Sequence, residues 1–250
     1  MRLFLPCMSC FEEFGRPDNT FYPADILNNV TAKFVCRQDH KSVVVLQSQK
    51  FAILAELAVT AILDGYYREA VSSFASSLER FQEFYIKTVL RSRGFDLEMS
   101  EKLWKGVHKQ SERQFGAYQF VFGLEEGEPP RILSNNKVTF RNKVIHQGLI
   151  PTYDEAIAFG QSVADVGNPV YRRLASDKSE VLKTIEWEEL HSVYQSVDPN
   201  EKPSTMSIAT LLGRCSIPDD RIDPRRSAFF MARSVLRDIR DGGINAGSTS

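Results

Sequence analysis

Near residue 50 the apolar residues of this chain change their period, and that change limits what the chain can fold into. Before it, Ala32-Lys33-Phe34-Val35-Cys36 alternates and Val43-Val44-Val45-Leu46 is a β-branched run, both of them strand patterns. After it, Phe51, Leu54, Leu57, Ala58, Ala61 and Ile62 recur at the spacing of one helix face, which stops near Asp64-Gly65. Tyr67, Val71, Phe74, Leu78, Phe81, Tyr85 and Val89 carry the same period along a second, long helix. Asp64 is its expected N-cap and Gly94 its expected end. The spacing predicts a third helix over 101–118 and a loop over 123–131 around Pro129-Pro130. A fourth helix follows, capped by Ser134 or Asn135. In Pro151-Thr152-Tyr153-Asp154-Glu155, Thr152 and Glu155 have the spacing of a capping box, so a fifth helix should start there and run to about residue 174. The expected fold is mainly α: a helical bundle over 49–176, with a small β segment over 1–48 and a helical extension over 177–250.

The β segment carries Cys7-Met8-Ser9-Cys10 and Cys36-Arg37-Gln38-Asp39-His40, each attached to strand-like sequence. The spacing suits a zinc ribbon, in which two hairpin knuckles supply Cys7, Cys10, Cys36 and His40 to one tetrahedral, structural zinc. A segment this short has little apolar mass of its own, and structural zinc contributes roughly 10–16 kcal/mol of apparent folding free energy in finger peptides. Asp39 is a rarer alternative to His40 as fourth ligand. A redox pair would call for a βαβ setting, which is lacking. No catalytic metal is expected.

Beyond the fifth helix the pattern thins. Residues 181–194 read as a helix, 204–212 as a shorter one, 217–224 as irregular and 228–240 as another helix, with a Gly/Ser-rich tail over 241–250. Trp104 and Trp187 are expected core anchors. His108 and His191 read as structural, and Cys215 as a buried or idle thiol.

A formal net charge of −1 excludes a broad cationic field of the kind that coats DNA, so contact with nucleic acid would need a local patch. That charge, and the lack of a basic recognition helix, also weaken the reading as a zinc-ribbon DNA-binding regulator. No apolar run approaches a membrane span and the N-terminus lacks a signal-peptide core, so the expected location is cytoplasmic and reducing. Cysteines there serve as metal ligands or thiols more often than as disulfides.

One local patch falls on the fourth helix, in Phe140-Arg141-Asn142-Lys143-Val144-Ile145-His146-Gln147-Gly148-Leu149-Ile150-Pro151. Histidine moves protons near neutral pH, and arginine forks onto phosphate oxygens. Asn142 and His146 lie four apart and share a face, whereas Arg141 stands about 140° from His146 around the helix. Arg131, Lys137 and Lys143 add positive charge nearby. Glu79 and Glu83 on the long helix either line the same cleft or form an exposed stripe.

This segment resembles the signature of the HEPN superfamily (higher eukaryotes and prokaryotes nucleotide-binding domain): an Arg, a polar residue directly after it, and a His four to six residues on. Asp64-Gly65-Tyr66-Tyr67-Arg68-Glu69-Ala70-Val71 also looks like that family's entry into its long helix. The resemblance covers roughly residues 50–176. It implies a metal-independent endoribonuclease with RNA as substrate and a site formed at a homodimer interface, used as a toxin or defence effector. In that role His146 exchanges a proton with the ribose 2′-hydroxyl or the leaving oxygen, Arg141 stabilises the phosphorus-centred charge, and Asn142 orients His146 or binds phosphate. The alternative is a non-catalytic HEPN module that binds RNA, nucleotide or a protein partner, with the ribbon as the docking element.

Overall fold

A computed structural model describes residues 2–15, 20–208 and 210–213. Cys215, the stretch 217–224 expected to be irregular, the expected helix over 228–240 and the tail over 241–250 lie outside the described residues, as do residues 16–19. Among the described residues there are five strands in one sheet and eight helices, so the protein is mainly helical with a small sheet.

The sheet is built from β1 (Arg2–Pro6), β2 (Phe21–Ile26), β3 (Thr31–Val35) and β4 (Lys41–Leu46), each antiparallel to the next. A short helix, α1 (Met8–Phe14), joins β1 to β2. The fifth strand, β5 (Ser204–Met206), runs parallel to β4 and comes from the far end of the chain. This corrects the expected helix over 204–212. Ser204-Thr205-Met206 borrows its partner from β4, and only the fold brings that partner within reach.

The sheet's own cluster of apolar residues is small, and α2 (Lys50–Leu63) adds to it while also serving the bundle. Its Ile53 is buried in the sheet's core with Leu3, Leu5, Ala24 and Val44, and Leu57 packs against the same cluster. Phe51, Ala55, Ala58 and Val59 face the bundle. A helix that is apolar all round belongs between two layers. This explains why the one-sided stripe expected for it understates its burial.

The bundle is organised around α3 (Tyr67–Ser92), 26 residues long and thus about 39 Å. Small Ser77 lets α2 come close, and its hydroxyl donates to the Phe51 carbonyl at 2.7 Å. Around α3 stand α4 (Leu97–Lys105), α5 (Ser111–Glu126), α6 (Asn135–His146), α7 (Tyr153–Asp177) and α8 (Ser179–Gln195). The capping box at α7 forms as its spacing predicts: the Thr152 hydroxyl accepts from Glu155 N–H, and the Glu155 carboxylate accepts from Thr152 N–H.

Several local expectations need correction. Asp64 closes α2 instead of opening α3, whose N-cap position is Tyr66 with no side-chain cap. The single third helix is two. Asp96 caps α4 by accepting from Met99 N–H, Gly106 ends it, and α5 then runs on to Gly127, which takes a left-handed φ of 74°. The loop therefore runs over 127–134, later in the chain than the expected 123–131. Trp104 is buried with Arg80 and Lys87 about 6 Å over its ring, but Trp187 is 67% exposed and anchors no core. Apolar content alone does not say which side of α8 faces in. No described helix is long and apolar enough to cross a membrane.

Candidate functional site

The cysteines and histidine of the N-terminal segment converge at one corner of the sheet. β1 ends at Pro6. Cys7 then holds the extended N-cap position of α1, with Cys10 one turn in as the only buried residue of that helix. Met8 to Phe14 contains no glycine or proline, and Gly15 stops the helix at φ 66°. Opposite them, β3 and β4 are joined by a tight turn. Cys36 N–H donates to the His40 carbonyl, Asp39 N–H donates to the Cys36 carbonyl, and Asp39 adopts φ 59°. The expected ribbon had both pairs on hairpins. In the fold only Cys36 and His40 sit on one, while Cys7 and Cys10 sit on a strand-to-helix junction.

Three thiols and an imidazole nitrogen lie within 4.8 Å of one another. Cys10 and Cys36 sulfurs are 3.7 Å apart, and His40 Nδ1 is 3.4 Å from Cys10 Sγ and 3.7 Å from Cys7 Sγ. A tetrahedral zinc with ordinary bond lengths requires edges of about 3.8 Å between sulfurs and about 3.6 Å between sulfur and nitrogen. The spacing is therefore already that of a ligand cage. Asp39 is not part of it.

The electrostatics ask for a cation. Burial opposes ionisation of Cys7, but hydrogen bonds from Ser42, the Cys10 backbone, His40 and Cys10 outweigh it and bring that thiol down to about 7. Burial and then the neighbouring thiols Cys7 and Cys36 push Cys10 up to about 12. Three adjacent buried thiolates cannot all ionise without a positive ion between them. Further donors reach the sulfurs: Gln38 N–H points at Cys36 Sγ at 3.3 Å, and the Ser42 hydroxyl lies 3.4 Å from Cys7 Sγ. Cys7, Cys10, Cys36 and His40 can hold one metal ion. With four protein ligands it has no open coordination position, which is the form of a structural site.

Arg141, Asn142 and His146 all lie on α6; the first two meet, and His146 does not join them. Only Val144 of this helix is fully buried, with Phe140 and Ile145 packed partly against the core. Arg141 turns toward α3, where its guanidinium donates to Glu79, and it also donates to the side-chain Oδ1 of Asn142 at 3.0 Å. His146 lies at the exposed C-terminal end of α6 and makes no side-chain hydrogen bond or ion pair among the described residues. Glu83 points elsewhere, to Arg80 and Lys87. The exposed part of α6 carries Lys143 and His146 in its last turn and has no acidic residue along its length. His108 bonds the Lys105 carbonyl and His191 bonds Gln195, both locally.

A buried carboxyl group that sequence reasoning missed is Glu56, fully enclosed in the mainly apolar α2. Its Oε1 accepts from Leu211 N–H, while Asn168 donates to the Leu211 carbonyl at 3.1 Å. Helices α2 and α7 thus grip both polar groups of one residue near the end of the described chain. A side chain at Gly167 would lie 2.6 Å from Leu212, so the glycine leaves the room that docking needs. Burial pushes the Glu56 carboxyl up to about 8, and Oε2 has no partner. The available signal was a lone carboxylate inside Phe51-Ala52-Ile53-Leu54-Ala55-Glu56-Leu57-Ala58.

Two cavities of about 270 and 400 Å³ flank the start of α2 beside α8, and neither is lined by Arg141, Asn142 or His146. No family model matches the chain, and neither a curated protein nor a solved structure is found to be similar to it.

Proposed function

We propose that the protein is a metal-independent endoribonuclease of HEPN type whose N-terminal corner is held by one structural zinc. The observation that carries this reading is His146, an exposed imidazole with no side-chain partner among the described residues, on an acid-free helix that also carries Arg141 and Asn142. RNA supplies its own nucleophile. His146 removes the 2′-hydroxyl proton or protonates the leaving 5′-oxygen, and Arg141 stabilises the charge that develops at phosphorus. Arg141 and His146 of one chain diverge around α6, so a two-fold dimer, in which each chain offers its copy to the other, is the arrangement that completes the site. A role as a toxin or defence effector fits this chemistry. Zinc is proposed as the metal because a Cys3His set at tetrahedral spacing is a common structural zinc set.

The test is RNA cleavage in EDTA, corrected for any loss from the metal corner. Products ending in 2′,3′-cyclic phosphate and 5′-hydroxyl, no cleavage of the matching DNA, and a dimer by light scattering are expected. Elemental analysis is expected to give one zinc per chain. The ion pair between Arg141 and Glu79 favours a second reading, a non-catalytic module that binds RNA, nucleotide or a protein partner, because it already neutralises the arginine. Wild-type protein that binds RNA and leaves it intact selects that reading.

A further inference from the structure

We infer that Glu13 is a positioning residue for the metal corner, presenting Nδ1 of His40 to the ion. The inference rests on the metal centre proposed above. An imidazole can bind a metal through either nitrogen, and the choice is made by the hydrogen bond that the other nitrogen donates. In this fold Nδ1 is the nitrogen inside the cage, 3.4 Å from Cys10 Sγ, while Nε2 points outward to Glu13 Oε2 at 3.0 Å. With Nε2–H donated to the carboxylate, the Nδ1 lone pair is free for the ion. Glu13 also adds basicity to the only neutral ligand of the set.

The sequence placement explains how the contact is built. Glu13 lies three residues after Cys10 on α1, so the two side chains share a face of that helix. One short helix therefore supplies a ligand and the group that orients another ligand from the opposite turn. The sulfurs have their own supports, Ser42 at Cys7 and the Gln38 N–H at Cys36. Glu13 completes the set at the imidazole. Its side chain is 53% exposed, so removing it leaves the core packing intact.

The experiment compares wild-type protein with Glu13→Ala and Glu13→Gln. Zinc affinity is read by competition with a chelator, and the coordinating nitrogen by ¹⁵N NMR of the histidine rings in zinc-loaded protein. Glu13→Ala is expected to weaken zinc binding about 10- to 100-fold with an unchanged far-UV spectrum. Glu13→Gln, whose carbonyl still accepts from Nε2–H, should recover much of that loss. The wild-type ring should show a metallated Nδ1 and a protonated Nε2. Zinc bound equally tightly by wild type and Glu13→Ala, or a metallated Nε2, overturns the role of Glu13 alone. Wild-type protein that takes up no zinc overturns the metal centre, and the inference with it.

Discussion

Cys7 and His40 are 33 residues apart and their side chains meet, whereas Arg141 and His146 belong to one short helix and theirs do not. The metal corner is assembled from a strand-to-helix junction and a hairpin turn, two rigid features that β-sheet pairing holds face to face. On α6 the helix itself dictates direction, and five residues of rotation send the guanidinium toward α3 and the imidazole toward solvent. Nearness along the chain is therefore a poor guide to a shared site on a helix. Distance along the chain is no obstacle where a sheet fixes the register. The fold brings the first group together and leaves the second apart.

The sharpest way to break this contrast is to remove the proposed metal. Chelation, or Cys36→Ser, should release α1, which has no side-chain cap and buries only Cys10, and should destabilise the sheet's cluster. Structural zinc contributes roughly 10–16 kcal/mol in small domains, so this is the largest expected effect. Hydrogen exchange should show it in residues 2–46, with much weaker changes in α3. Equal protection across both would mean that the metal corner and the bundle are one cooperative unit.

The α6 face is probed next. His146→Ala should lower RNA cleavage by about 10²–10⁴-fold, the usual size of a general acid–base contribution, with no loss of thermal stability. Arg141→Ala should act similarly. Mixing the two inactive variants should restore part of the activity if the site is shared across a dimer. No recovery would show that each chain works alone.

Glu56 offers a third, intermediate case, a buried group that converges with Asn168 on a single residue. Its carboxyl is raised from an ordinary 4.5 to about 8 by burial, so its contribution to stability is complete below pH 4.5. Between 4.5 and about 8 the unfolded chain has released the proton that the folded chain keeps, so stability falls as pH rises, then levels off. The slope from this one group is about 1.4 kcal/mol per pH unit. Denaturant titrations of wild type and Glu56→Gln across that window should differ in slope, and parallel curves would remove the assignment.

The smallest effect is expected at the ion pair itself. Glu79→Gln should change stability by less than about 1 kcal/mol, since both side chains are partly in water. A larger loss would mean that Arg141 is a structural tie between α6 and α3.

The sequence alone determined the period change near residue 50, the mainly helical character, the α7 capping box and the four residues that could hold a metal ion. Each of these depends on neighbours within a few residues or on the distinctive chemistry of cysteine pairs. Tertiary structure decided what depended on distant partners. Three residues at 204–206 became a strand because β4 offered its edge. The lone Glu56 became a clamp because Leu211 arrived between α2 and α7. Trp187 stayed in solvent because α8 turned its other face inward. Arg141 likewise owes its direction to Glu79, 62 residues earlier on α3. Hydrogen-bond pairing and burial are satisfied between elements, and a local pattern carries no record of which elements will meet.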